Sequence, residues 1–117
     1  MRKFTATSFA TLIGVASCLG GCGASGEDHN HDLECAAMIS AASYLHVGKE
    51  IKLDVDVYGQ GLFSLGTYQA KYAISNGLSE QESTELIRAR RETLMSSVGP
   101  AKIKKKAVTC IRKTPKA

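Results

Sequence analysis

Four cysteines, at positions 18, 22, 35 and 110, constrain this chain more than any other feature of it. The first two lie in or beside an uncharged apolar leader, and the other two bracket almost everything that follows. A Cys35–Cys110 bridge would close a loop over most of the chain, and the loop entropy removed from the unfolded state is worth about 4.5 kcal/mol. For 117 residues, enough for one domain, that is comparable to the whole expected stability. Two buried free thiols are the alternative. Neither cysteine belongs to a Cys-x-x-Cys pair, which argues against redox catalysis or a zinc site.

The leader decides how the other two thiols are used. Met1-Arg2-Lys3 is followed by Phe4 through Leu19 without a charge, a basic n-region before an apolar h-region. The stretch is too short and too rich in small residues for a membrane span, which needs roughly 20 strongly apolar residues. Leu19-Gly20-Gly21-Cys22 has the form of a lipobox, in which small side chains let the backbone approach the peptidase and the Cys thiol takes the diacylglycerol. Val15-Ala16-Ser17-Cys18 also fits. Cys22 is preferred, because acylating it and discarding Cys18 leaves Cys35 and Cys110 as an even pair in an oxidising compartment. Gly23 follows, where the lipoproteins this resembles need Asp for inner-membrane retention, so the resemblance implies the outer membrane. Ordinary cleavage after Cys22-Gly23-Ala24, giving a soluble periplasmic protein, is the rival.

These readings divide the chain into a signal peptide over 1–21, a lipidated Cys22 and polar tether over 22–31, and a domain over 32–117. Losing Arg2 and Lys3 with the leader lowers the formal charge from +4 to about +2, too little to argue for a nucleic-acid partner. In the tether, Asp28-His29-Asn30-His31-Asp32 carries two imidazoles two residues apart, on one side of an extended chain. His29 and His31 are weak metal candidates, since a structural site needs four fixed ligands.

The domain reads as all-α, a small bundle of about four helices with the disulfide joining the first to the last. Asp32 can cap the first helix and Gly48 can stop it, while Cys35, Met38, Ile39, Ala42 and Leu45 make a core-facing stripe. The segment 51–66 is ambiguous. Ile51, Leu53, Val55 and Val57 alternate as in a strand that Gly59-Gln60-Gly61 could turn into a hairpin. Val55, Tyr58, Leu62, Leu65, Tyr68 and Tyr72 are spaced as one helical face, and a helix from about Asp54 to Ser75 is the expectation, with Gly59, Gly61 and Gly66 admitting a close neighbour. Ser79-Glu80-Gln81-Glu82 is a capping box for the third helix, with Leu86, Ile87, Ala89, Leu94 and Val98 apolar. Pro100 suits the first turn of the fourth, which carries Ile103, Ala107, Val108, Cys110 and Ile111.

The Cys-Ala-Ala start at 35–37, Leu-Phe-Ser-Leu-Gly at 62–66 and the late lone Cys110 resemble small exported helical proteins of certain alphaproteobacteria. The resemblance spans roughly 32 to 112, implies a helix over 54–75, and brings no catalytic residues with it. A looser likeness to small periplasmic acid-stress chaperones, also helical with one disulfide, departs at the lipid anchor.

No nucleophile elbow, His-Glu-x-x-His or phosphate loop is present. Glu80, Glu82 and Glu85 cluster where a helix N-terminus attracts carboxylates anyway, and His46 reads as a surface residue. Lys102, Lys104, Lys105, Lys106, Arg112 and Lys113 form a basic surface able to touch anionic headgroups, or a solvated face that complements the helix C-terminus. The expectation is a non-enzymatic, cofactor-free envelope lipoprotein, held in the membrane by its acyl chains and presenting a helical interaction domain to an envelope protein. A stress-responsive holdase and a weak metal-binding protein are the alternatives.

Overall fold

The computed structural model describes residues 22–115, with side chains from Asn30 onward. The leader and Cys18 fall outside the described residues, as do the side chains of Cys22 and His29. Four helices follow one another with no strand among the described residues: α1 (Cys22–Val47), α2 (Val55–Asn76), α3 (Glu80–Ser97) and α4 (Pro100–Arg112). The fold is all-α, and the Cys35–Cys110 disulfide joins the first helix to the last, with Cα atoms 5.6 Å apart. No helix among the described residues is long and apolar enough to cross a membrane.

The bundle is organised around α1, which packs against each of the other three helices more extensively than they pack against one another. The local sequence explains this. Cys35-Ala36-Ala37-Met38-Ile39 and Ala41-Ala42 are all buried, so α1 is apolar around its whole circumference here, as an enclosed helix must be. Alanine also keeps neighbouring axes close. The expected stripe of Cys35, Met38, Ile39, Ala42 and Leu45 is buried, but it is only one side of the enclosed surface.

Several expectations change at the helix ends. Helix α1 already runs through 22–31, and Asp32 lies inside the helix, 8% exposed, rather than at its N-cap. The reason is that 22–31 holds no proline to stop the helix from extending backward from its enclosed stretch at 35–42. At the other end, Lys49 rather than Gly48 adopts the left-handed conformation, with φ 66°. Gly48 is spent on a last helical bond to the Tyr44 carbonyl, 3.0 Å, and Glu50 N–H closes the turn on Leu45 at 2.9 Å.

The 51–66 ambiguity resolves as helix. Ile51 and buried Leu53 belong to the turn before α2, and the helix begins after Asp54 and stops at Gly77, φ 64°. The inward face is rotated from the one expected: Gly61, Ser64, Tyr68 and Tyr72 are buried, whereas Val55 is 82% and Leu62 51% exposed. A close approach sets the rotation. A Cβ on Gly61 would lie 3.1 Å from Ile111 Cδ1 and 3.7 Å from Ile39 Cγ2, while Gly59 and Gly66 face open space. Helix α3 carries the full capping box between Ser79 and Glu82, and buries Ile87 and Leu94 while Leu86 is exposed. Helix α4 starts at Pro100 and buries Ile103, Ala107 and Ile111.

Candidate functional site

A groove of about 720 Å³ lies between α1 and α4, directly over the disulfide. Its floor is Cys35, Cys110, Met38 and Ala101, and its α4 rim carries Lys102, Lys105 and Lys106. Positions three and four apart on a helix share a face, which is why these three lysines converge. Lys104 does not line the groove, and Arg112 and Lys113 lie past it, exposed. The basic set expected from the sequence is therefore split. On the α1 rim, His31 Nε2 lies 3.7 Å from Cys35 Sγ, and Glu34 forms an ion pair with Arg90 of α3. Hydrogen bonding to Glu34 raises the Arg90 guanidinium further above its ordinary value.

Lys102 sits in the first turn of α4, the end where the helix dipole disfavours a cation, and Lys104, Lys105 and Lys106 follow it in the second turn. The helix spans Pro100–Arg112 with no acidic residue in its first turn, so Lys102, Lys104, Lys105 and Lys106 fall in its first half. Arg112 in the last turn and Lys113 at the C-cap complement the C-terminal dipole, which corrects the expectation that the basic run as a whole does so. Cations near a helix N-terminus cost a few tenths of a kcal/mol each. The ion pairs among the described residues, Arg90–Glu34 and Arg91–Glu92, involve none of these lysines. The result is a rim of three ammonium groups, Lys102 among them at the positive helix end, above an apolar floor.

Behind the groove, Tyr68 locks α2 to the disulfide. It is 3% exposed, donates its hydroxyl to the Cys110 carbonyl at 2.9 Å, and meets the His31 ring edge-on at 6.0 Å between centroids. Burial, and secondarily the charge of Asp32, raises its pKa. Sequence reading placed Tyr68 in a core face and missed its bond to Cys110, which joins residues far apart in the chain. His46 is likewise structural. Its Nδ1 accepts from Leu53 N–H at 3.1 Å, and the ring packs on Tyr58 at 4.8 Å, holding the α1–α2 turn.

Of the two metal candidates the structure describes the side chain of His31, and that of His29 lies outside the described residues. Positions 29 and 31 are both on α1, and two residues apart on a helix means about 200° of rotation. Among the described residues no three His, Cys, Asp or Glu side chains group as metal ligands. The fold and groove define a disulfide-stapled helical protein with a basic-rimmed surface cleft. No protein-family model, curated protein or solved structure matches the chain.

Proposed function

We propose that the chain is a non-enzymatic protein of the bacterial cell envelope, anchored through an acylated Cys22, whose helical domain docks an acidic, amphipathic segment of a partner protein in the α1–α4 groove. The observation that supports this most is the convergence of Lys102, Lys105 and Lys106 on one face of α4, with no ion pair among the described residues, above an apolar floor. Clefts of this size suit a short segment, and two flanking helices suit the helix-in-groove mode. Carboxylates would neutralise the rim while apolar side chains cover Met38, Ala101 and the disulfide.

Two measurements test the reading separately. Intact-mass analysis of the native protein reports cleavage, acylation and the state of Cys35 and Cys110 together. An unacylated mass removes the anchor. Cross-linking in intact envelopes, compared between the native protein and a Lys102→Glu/Lys105→Glu/Lys106→Glu variant, tests the groove. A specific partner lost in the variant is expected; adducts equal in both, or none in either, would overturn the docking role.

A further inference from the structure

The outer face of α2 carries a second surface. Only two residues of this 22-residue helix are charged, Asp56 near its start and Lys71 near its end. Along the helix an uncharged stripe is exposed, and on one edge its Gly66, Ala70 and Ile74 border a groove shared with Glu80 and Ser83 of α3. Its large members are Val55 (82% exposed), Leu62 (51%), Phe63 (45%) and, past Lys71, Ile74 (81%). Gly59, Gly66 and Ala70 interleave with them and are exposed too. A Cβ at Gly59 or Gly66 would touch nothing within 4 Å, so neither glycine is required by packing inside the monomer. Each lowers helix propensity by about 1 kcal/mol relative to alanine. An apolar helix face with gaps the monomer does not need is shaped for a neighbour.

We infer that this neighbour is a second copy of the chain, joined by antiparallel packing of the two α2 helices. The pattern is self-complementary about a two-fold axis level with the Ser64–Leu65 peptide. In that register Phe63 stands opposite the partner's Gly66, Gly59 opposite the partner's Ala70, and Val55 opposite the partner's Ile74. Large side chains meet small ones near the axis, and the gap at Gly66 receives a ring. A two-fold interface uses the same patch on both subunits, and α2 itself places no charge near the centre of this patch, Glu80 of α3 standing at its Ala70–Ile74 edge. The charges at its ends are complementary: the antiparallel register sets Asp56 within about two residues of the partner's Lys71, or roughly 3 Å of helix rise. Covering the exposed large side chains and the small residues between them would bury on the order of 1,200 Å² in total, at the lower end of specific interfaces. A reversible, micromolar-range dimer is expected.

Sedimentation velocity over a concentration series, on the protein with its disulfide intact, reads the association directly. The native chain should shift from monomer to dimer, and Gly66→Leu should stay monomeric with an unchanged helical circular-dichroism spectrum. That substitution fills the socket but meets open space in the monomer. Asp56→Lys and Lys71→Asp should each weaken dimerisation at least several-fold, and the double variant should restore it. Within one chain these residues are about 22 Å apart along the helix, so such rescue has to act between copies. A native chain that remains monomeric throughout overturns the inference. So does a dimer insensitive to Gly66→Leu and to both charge reversals, or binding to phosphatidylcholine vesicles through this face by a protein monomeric in solution.

Discussion

Removing the disulfide should cost this domain more than any core substitution. The bridge spans a sequence separation of 75, and closing a loop of that length removes unfolded-state entropy worth about 4.5 kcal/mol at 25 °C. For a domain of about 90 residues, unfolding entropies near 2 cal/mol/K per residue convert this to a loss of roughly 20–25 °C in Tm. A direct packing loss adds to it, since Cys35 is 2% exposed; Cys35→Ala/Cys110→Ala avoids placing a hydroxyl there. Urea unfolding of the native, reduced and doubly substituted proteins separates the contributions. Reduction leaves both sulfurs in place and isolates the cross-link. It should also raise the m-value, because the uncrosslinked chain exposes more surface when unfolded. A reduced protein within about 1 kcal/mol of the oxidised one, with an equal m-value, would refute the loop-entropy reasoning.

Other perturbations probe smaller parts of the fold. Tyr68→Phe should destabilise by about 1 kcal/mol through the lost bond to the Cys110 carbonyl. Because the folded-state pKa of Tyr68 is raised, its contribution is complete below about pH 10 and is lost as pH rises through the folded value; alkaline denaturation followed by circular dichroism should be shallower in the Phe variant. Ser79→Ala removes the side chain that accepts from Glu82 N–H at 3.0 Å, and chemical denaturation should show a loss of about 1 kcal/mol. The α2 glycines should separate in thermal melts at low protein concentration. Gly59→Ala stabilises by about 0.5–1 kcal/mol, whereas Gly61→Val, forced against Ile111 and Ile39, destabilises by about 1–3 kcal/mol. Lys49→Gly should raise stability by up to about 1 kcal/mol, since φ 66° disfavours a residue with a Cβ.

The parts legible in the sequence are those whose causes are local. Ser79 with Glu82, Pro100, and Asn76-Gly77 act within one turn of the chain, and they mark the ends of α2, α3 and α4 where the structure has them. The disulfide was legible for a different reason, namely that few thiols remained to pair. The orientation of α2 was not, because its face is chosen by where Gly61 lets Ile111 and Ile39 approach, a contact between three helices. Hydropathy favoured Val55 and Leu62 as core residues over Gly61 and Ser64. The enclosure of α1 was visible in retrospect: Cys35-Ala36-Ala37-Met38-Ile39-Ser40-Ala41-Ala42 offers one polar residue in more than two turns. For the groove, the spacing of Lys102, Lys105 and Lys106 puts them on one face. Which helix stands across from that face depends on tertiary packing.

The distribution of apolar side chains connects the stability of the domain to its surfaces. Among the described residues, half of the buried apolar positions on α1 are alanines, Ala36, Ala37, Ala41 and Ala42, and Ile39 and Ile103 are the most deeply buried large hydrophobic side chains. Such a core buries limited apolar area, and burial at about 25 cal/mol per Å² gives a domain this small only a thin margin over chain entropy. The cross-link offsets that deficit from the unfolded side, without occupying interior space. Meanwhile Val55, Leu62, Phe63 and Ile74 stay outside, and Lys102, Lys105 and Lys106 crowd one face of α4. A sequence shaped for monomer stability alone would exchange these placements for better ones at little cost. Their placement in a stapled bundle is the common ground of the two proposals, the docked segment at the α4 rim and the second copy on the outer face of α2.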